Sequence, residues 1–143
     1  MSETVARNSG SLERELLSIV VGLIAAVLVI ISLEPVLQKL YPVLQLNPLD
    51  ASAQGGRAVD SLPAASLLLL LVAYALASFV GGLASSLTAG KAKALPAVVT
   101  GLVLMIAGSY GVMVVYQPLW FRAASFLTYP MAYVGYLVTR KSA

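Results

Sequence analysis

Long uncharged stretches, separated by short polar segments, dominate the pattern of this chain. Residues 16–33, 61–90 and 94–121 contain no Asp, Glu, Lys or Arg. A helix over the first of these stretches reaches roughly 27 Å at about 1.5 Å per residue, close to the apolar thickness of a bilayer. Pro118 divides the third stretch, because proline disrupts a helix interior but suits a helix start. The pattern predicts four transmembrane helices, at about residues 16–33, 63–87, 94–116 and 118–139.

The predicted fold is an all-α bundle of four transmembrane helices, formed by residues 1–143 as a single membrane domain. Glu34 and Pro35 are expected to end the first helix, since Pro35 cannot donate a helical hydrogen bond. Apolar residues then recur at helical spacing, at Leu37, Leu40, Tyr41 and Leu44. We therefore expect a short amphipathic segment in the membrane interface, followed by a polar loop, within residues 34–61.

The polar residues before the first apolar stretch allow two interpretations. Ser11, followed by Glu13 and Glu15, is typical of a helix start, where the helix dipole favours acidic side chains. A cleaved signal peptide is the alternative. The partly acidic lead and the lack of a small-x-small cleavage site after Ile31 favour a helix that stays in the protein.

Composition supports a membrane protein and excludes several kinds of chemistry. Hydrophobic residues make up 59% of the chain and charged residues only 10%, whereas soluble domains carry roughly 25% charged residues. The chain has no Cys and no His, so disulfides, Cys/His metal sites and a histidine base cannot form. We expect no metal, no cofactor, no catalytic residue and no nucleic-acid partner.

Basic residues predict the orientation. Six of the nine lie before the first helix, between the second and third helices, and after the fourth, at Arg7, Arg14, Lys91, Lys93, Arg140 and Lys141. Four spans bring these six to one side, which the positive-inside rule assigns to the cytoplasm. The other three are balanced by acidic residues on the opposite side, where Lys39, Arg57 and Arg122 accompany Glu34, Asp50 and Asp60. The prediction is a multi-pass protein of the bacterial inner membrane with both termini in the cytoplasm.

No ionisable residue lies near the middle of a predicted span. Proton- and ion-coupled transporters usually need such a group for coupling. Glu13 and Glu15 precede the first helix and Glu34 ends it, so a proton-driven pump is disfavoured.

Small residues at helical spacing are the strongest packing signal. They lie on the second helix at Ala77, Gly81, Gly82, Ser85 and Ser86, and on the third at Gly101 and Gly111. Such small-xxx-small ladders let helix backbones approach closely within a membrane. They predict packing within one chain, with contact to a partner or a second copy as the alternative.

Aromatic residues suggest two further candidate sites. Trp120 and Phe121 are expected to anchor the hairpin at the headgroup boundary, where Arg122 either reaches a lipid phosphate or pairs with Glu34. A stripe of phenols on the fourth helix, at Tyr129, Tyr133 and Tyr136, forms either an interhelical hydrogen-bonding seam or a lipid- or ligand-binding face.

Three short motifs resemble a family of small bacterial four-helix inner-membrane proteins of unassigned function. They are Leu33-Glu34-Pro35 with Leu40-Tyr41-Pro42, the Val80-Gly81-Gly82 tract, and Gln117-Pro118-Leu119-Trp120-Phe121. Members of that family often have His where this chain has Gln117. The resemblance implies the four-helix fold and no activity.

The leading functional hypothesis is a non-enzymatic accessory or scaffold subunit that contacts membrane lipids and a membrane-protein partner or a second copy. The alternative is a small channel or transporter for a neutral or lipidic substrate, using the tyrosine face. A membrane enzyme built on Glu34, Arg122 and Asp60 is the third and weakest hypothesis.

Overall fold

Helices form all of the regular structure in the described part of the chain. The computed structural model describes residues 2–40, 64–90, 93–114 and 118–142. The helices are α1 (Ser2–Leu40), α2 (Ala64–Ala89), α3 (Ala94–Val114), α4 (Leu119–Phe126) and α5 (Met131–Ser142). The predicted all-α class is confirmed for these residues.

The described helices run through the bundle in alternating directions, with α4 and α5 following each other in the last pass. Arg14, near the start of α1, contacts Thr88 at the end of α2, whereas Leu37 near the end of α1 shares an apolar cluster with Leu67 near the start of α2. The helix α3 begins shortly after α2 ends and packs back along it. Phe121 of α4 joins the Leu37 cluster, so the fourth pass starts at that same end and continues through α5.

The second helix is the centre of the bundle, because it packs against α1, α3, α4 and α5. At the end where α4 begins, its apolar residues Leu67, Leu70 and Ala73 are buried against Leu37 and Phe121. Further along, its buried residues are small, so the neighbouring helices come closer to its backbone there.

Two helical stretches are long and apolar enough to cross a membrane, Gly10–Leu37 and Ala64–Ala89. A shorter apolar stretch, Ala94–Tyr110, lies in α3. Only 17% of the most apolar window of α1 is buried, against 39% for α2. A core helix of a soluble protein would bury such a surface, so the outward apolar faces are suited to lipid.

The first helix is longer than expected at both ends. It begins at Ser2 rather than at Ser11, and it continues through Pro35 to Leu40. The expectation that Pro35 ends the helix is therefore wrong. Leu37 is buried in the core cluster, and its packing offsets the hydrogen bond that Pro35 cannot donate. The rest of the expected interfacial segment and loop, residues 41–63, lies outside the described residues.

The fourth pass is two helices rather than one kinked helix. Residues 127–130 form a turn between α4 and α5. The amide of Thr128 donates to the carbonyl of Ser125 at 3.1 Å, and the Thr128 hydroxyl donates to the same carbonyl at 2.7 Å. Both bonds have the i to i−3 spacing of a 3₁₀ turn, so the α-helical hydrogen-bond pattern ends before Pro130, which has no N–H to continue it. The axis can therefore change direction within the bundle.

Candidate helix-packing and lipid-facing sites

Three helices meet where Gly22 of α1 faces Gly81 of α2. A Cβ added to Gly22 would lie 2.7 Å from the carbonyl oxygen of Gly81, and one added to Gly81 would lie 2.9 Å from that of Gly22. Thr100 of α3 closes the junction, and its hydroxyl donates at 2.8 Å to the carbonyl of Pro96 in its own helix. Backbones can approach this closely only because both residues lack side chains.

A second close approach joins α2 to α5. A Cβ on Gly82 would collide with the backbone of Ala132, with its Cα atom at 2.5 Å. A Cβ on Gly135 would meet the backbone of α2 at Phe79 and Leu83, with the Leu83 nitrogen at 2.7 Å. The groups on both sides are main-chain atoms, which cannot rotate out of the way. This crossing therefore fixes where α5 lies against α2.

Most of the ladder residues expected from the sequence lie in these two contacts or beside them. Six of them are buried within the chain: Ala77, Gly81, Gly82, Ser85, Ser86 and Gly101. Gly111 belongs to α3, but its surroundings lie outside the described side chains. The small-residue faces are thus occupied by helices of the same chain.

Sequence reasoning missed the partners of the ladder, Gly22 and Gly135. Neither belongs to the ladders predicted on the second and third helices. Gly22 has small residues one turn away on both sides, Ser18 and Ala26, and the Cβ atom of Ala26 lies against Gly81. Gly135 has one small residue a turn earlier, Ala132, which packs on Gly82, and a single such pair does not predict a packing face.

Charged residues connect α1, α2 and α3 at the end where α2 terminates. The Nζ atom of Lys93 lies 2.5 Å from the Oε1 atom of Glu15, and Arg14 donates from Nε to the carbonyl oxygen of Thr88 at 3.3 Å. Gly90 ends α2 with a φ angle of 76°, a left-handed conformation that glycine adopts readily. The Arg14 guanidinium lies against Gly90, so it stabilises the carbonyl end of α2.

The tyrosine stripe is divided between two environments. The Tyr129 hydroxyl lies over Gly108 of α3, where a Cβ on that glycine would collide with it. Tyr133 and Tyr136 contact each other with ring centroids 5.4 Å apart, and Tyr133 is 44% exposed. Tyr129 is therefore a packing residue between α3 and the α4–α5 turn, and only the other two tyrosines remain for a lipid- or ligand-binding face.

Trp120 and Phe121 do not share the anchoring role expected of them. Phe121 is fully buried in the core cluster, which contradicts its expected place at the headgroup boundary. Successive helical residues point in directions about 100° apart, so one faces the core while the other faces outward. Trp120 is 44% exposed and packs edge-on against Phe121 with centroids 5.9 Å apart, so it keeps a surface position.

Glu34 and Arg122 lie beside the same apolar cluster, on different helices. Glu34 is one turn before Leu37, and Arg122 follows Phe121. Both side chains are half-buried. The Nε atom of Arg122 is buried and has no hydrogen-bond partner among the described residues. The pairing of Glu34 with Arg122 stays a prediction, and Asp60, the third residue of the enzyme hypothesis, lies outside the described part of the chain.

In comparisons with known proteins, the chain matches no family model, no curated protein and no solved structure. The class of protein therefore rests on the fold and surface described above: a chain that is helical in its described part, where two helices are long and apolar enough to cross a membrane.

Proposed function

We propose that this chain is a non-enzymatic, four-span protein of the inner membrane that acts as an accessory or scaffold subunit of a larger membrane complex. One observation carries the proposal: toward the C-terminal end of α2 small residues form the contacts between helices, whereas large apolar side chains of α1 point outward. These exposed side chains include Leu16, Val20, Ile24, Leu28 and Ile31.

The packing of the bundle axis supports a binding role over transport through the centre. Gly22, Gly81 and Thr100 bring three helices into backbone-level contact, and Gly82 brings α5 onto α2 beside them. A central pathway for a substrate would have to separate these backbones. The outer surface, which is available without such a change, is therefore the better candidate for function.

The α1 face is the surface that we expect a partner to contact. On its inner side α1 packs against α2 and α3, and its outward side chains between Leu16 and Ile31 are apolar. Because lipid tails are as apolar as these side chains, a partner would be held by shape and van der Waals contact rather than by a hydrophobic driving force.

The first test is recovery of the tagged protein from its native membrane in mild detergent, with the mass of the intact complex measured. A stoichiometric partner supports the proposal. The variant Ile24→Ala/Leu28→Ala should lose that partner, whereas the matched α3 variant Leu102→Ala/Ile106→Ala should keep it. A protein recovered alone in both its wild-type and variant forms would contradict the accessory role.

The proposed four spans and cytoplasmic termini have an independent test, since the chain contains no Cys. Single cysteines at Ser9, Lys91 and Ser142 should react with an impermeant thiol reagent only from the cytoplasmic side. A cysteine at Asp50 should react only from the opposite side. Labelling of Ser9→Cys and Ser142→Cys from different sides would exclude an even number of spans.

A lipidic substrate is the second candidate function, and the pair of the exposed Tyr133 with the half-buried Tyr136 favours it. Replacement of both tyrosines by Phe removes the hydroxyls and retains the rings. If the protein moves such a substrate, flux into liposomes should fall in this variant and not in Tyr110→Phe, whose ring is exposed on α3.

A further inference from the structure

A groove of about 460 Å³ adjoins the exposed face of the C-terminal part of α5. The lining residues described are Val134, Leu137, Val138, Arg140 and Lys141. Val134, Leu137, Val138 and Lys141 recur at intervals of three and four positions, so they form one face of the helix. The groove is apolar along its length and ends in two cations.

The two cations differ from Lys93 and Arg14, the other cations described at this end of the bundle. Lys93 is paired with Glu15, and Arg14 is bound to the end of α2. Arg140 and Lys141 are exposed in the last turn of α5, and no acidic side chain is among the described lining residues of the groove. Their positive charge is therefore directed at the groove and its surroundings.

The depth of these cations matches that of a lipid headgroup. Gly135 packs on α2 beside Leu83, and α5 runs in the same direction as α2 from there. Arg140 is five residues beyond Gly135, and Thr88 is five residues beyond Leu83. Because both helices rise by the same distance per residue, Arg140 lies level with Thr88, near the end of α2. If the helices cross a membrane, the apolar residues of the groove lie at acyl-chain depth and the cations at phosphate depth.

We propose that this groove binds an anionic glycerophospholipid, with one acyl chain along Val134, Leu137 and Val138 and the headgroup phosphate at Arg140 and Lys141. The inference rests on the proposed membrane location. An acyl chain alone would explain the apolar lining and a free anion alone would explain the cations. Only an anionic amphiphile complements both parts in the order that the helix presents them.

The test uses the full-length protein in mild detergent, titrated with phosphatidylglycerol or phosphatidylcholine of the same chain length, with bound lipid counted by native mass spectrometry. Each basic residue near a membrane surface contributes about fivefold in affinity for anionic lipid, so Arg140→Gln/Lys141→Gln should weaken phosphatidylglycerol binding roughly 30-fold. Phosphatidylcholine binding should change little. The control Lys39→Gln removes an exposed cation from the other end of α1.

A variant that fills the groove tests the acyl chain separately. Val138→Trp should weaken the binding of both lipids, whereas Val20→Trp on the exposed face of α1 should not. If wild type and Arg140→Gln/Lys141→Gln bind phosphatidylglycerol equally well, the proposed site is wrong. It is also wrong if Lys39→Gln loses as much phosphatidylglycerol affinity as that double variant.

Alkaline carbonate extraction of native membranes tests the proposed membrane location separately from the proposed lipid site. Release of the protein from the membrane would overturn the proposed function together with the site. Retention, combined with unchanged lipid binding in the variants, would overturn the site alone.

Discussion

The crossing of α2 and α5 gives the sharpest prediction about stability. At a helix position with room for a methyl group, replacing Gly by Ala stabilises the folded protein by about 0.5–1 kcal/mol, because glycine loses more conformational freedom on folding. At Gly82 the new methyl group would overlap the backbone of Ala132, which has no rotamer to change. The two helices must separate, and overpacking of this kind typically destabilises by about 1–3 kcal/mol.

We therefore expect Gly82→Ala to lower the free energy of unfolding by about 1–3 kcal/mol. Gly10→Ala is the matched control, since nothing lies within 4 Å of a Cβ at that position of α1. It should be neutral or stabilise by up to about 1 kcal/mol. Gly81→Ala should be destabilising as well, because its Cβ would lie 2.9 Å from the Gly22 carbonyl oxygen.

The chain supplies its own probe for this measurement. Trp120 is the only tryptophan and packs edge-on against the buried Phe121, so its fluorescence should report loss of the core during titration with a denaturing detergent. The reasoning would be refuted if Gly82→Ala unfolded at the same or a higher denaturant fraction than wild type, as Gly10→Ala should.

Three further predictions concern other contacts, each measured by the same unfolding titration. Gly90→Ala should destabilise by about 1–2 kcal/mol, because its φ of 76° is strained for any residue with a side chain; an unchanged midpoint would contradict this. A double-mutant cycle of Glu15→Gln and Lys93→Gln should give a coupling energy of only about 0.2–1 kcal/mol, since the Lys93 side chain is 45% exposed. A coupling energy well above that range would show that the ion pair is less solvated than its exposure indicates. Gly108→Ala should destabilise because its methyl group meets the Tyr129 hydroxyl, and Tyr129→Leu should restore part of the loss; additive effects of the two changes would argue against the contact.

The central helix could be predicted from the sequence because its signals agree. An uncharged stretch lies between Pro63 and Gly90, and small residues recur on one face. Local pattern and tertiary packing favour the same structure there, and α2 spans Ala64–Ala89, close to the expected 63–87. The burial of Gly81 and Gly82 follows from that same periodicity.

Where the sequence misled, a tertiary contact outweighed a local preference. Pro35 predicts a helix end, but the burial of Leu37 in the core cluster keeps α1 helical to Leu40. Pro130 predicts a kink, and the structure has a complete turn, because α5 must be placed so that Gly135 meets α2. Such requirements depend on residues far apart in the chain, which periodicity along one helix cannot reveal.

The division between small inner residues and large outer ones also limits where function can reside. Gly81 and Gly82 offered the strongest sequence signal for a partner, yet each is occupied by another helix of the same chain, so neither can receive a second molecule without unfolding this contact. A partner or lipid must then bind to outward side chains, on α1 or along the α5 groove. It follows that substitutions at the glycines should impair binding only through stability. Substitutions at Ile24 or Arg140 should impair binding while the fold persists, and this separation is what distinguishes a binding surface from a packing one.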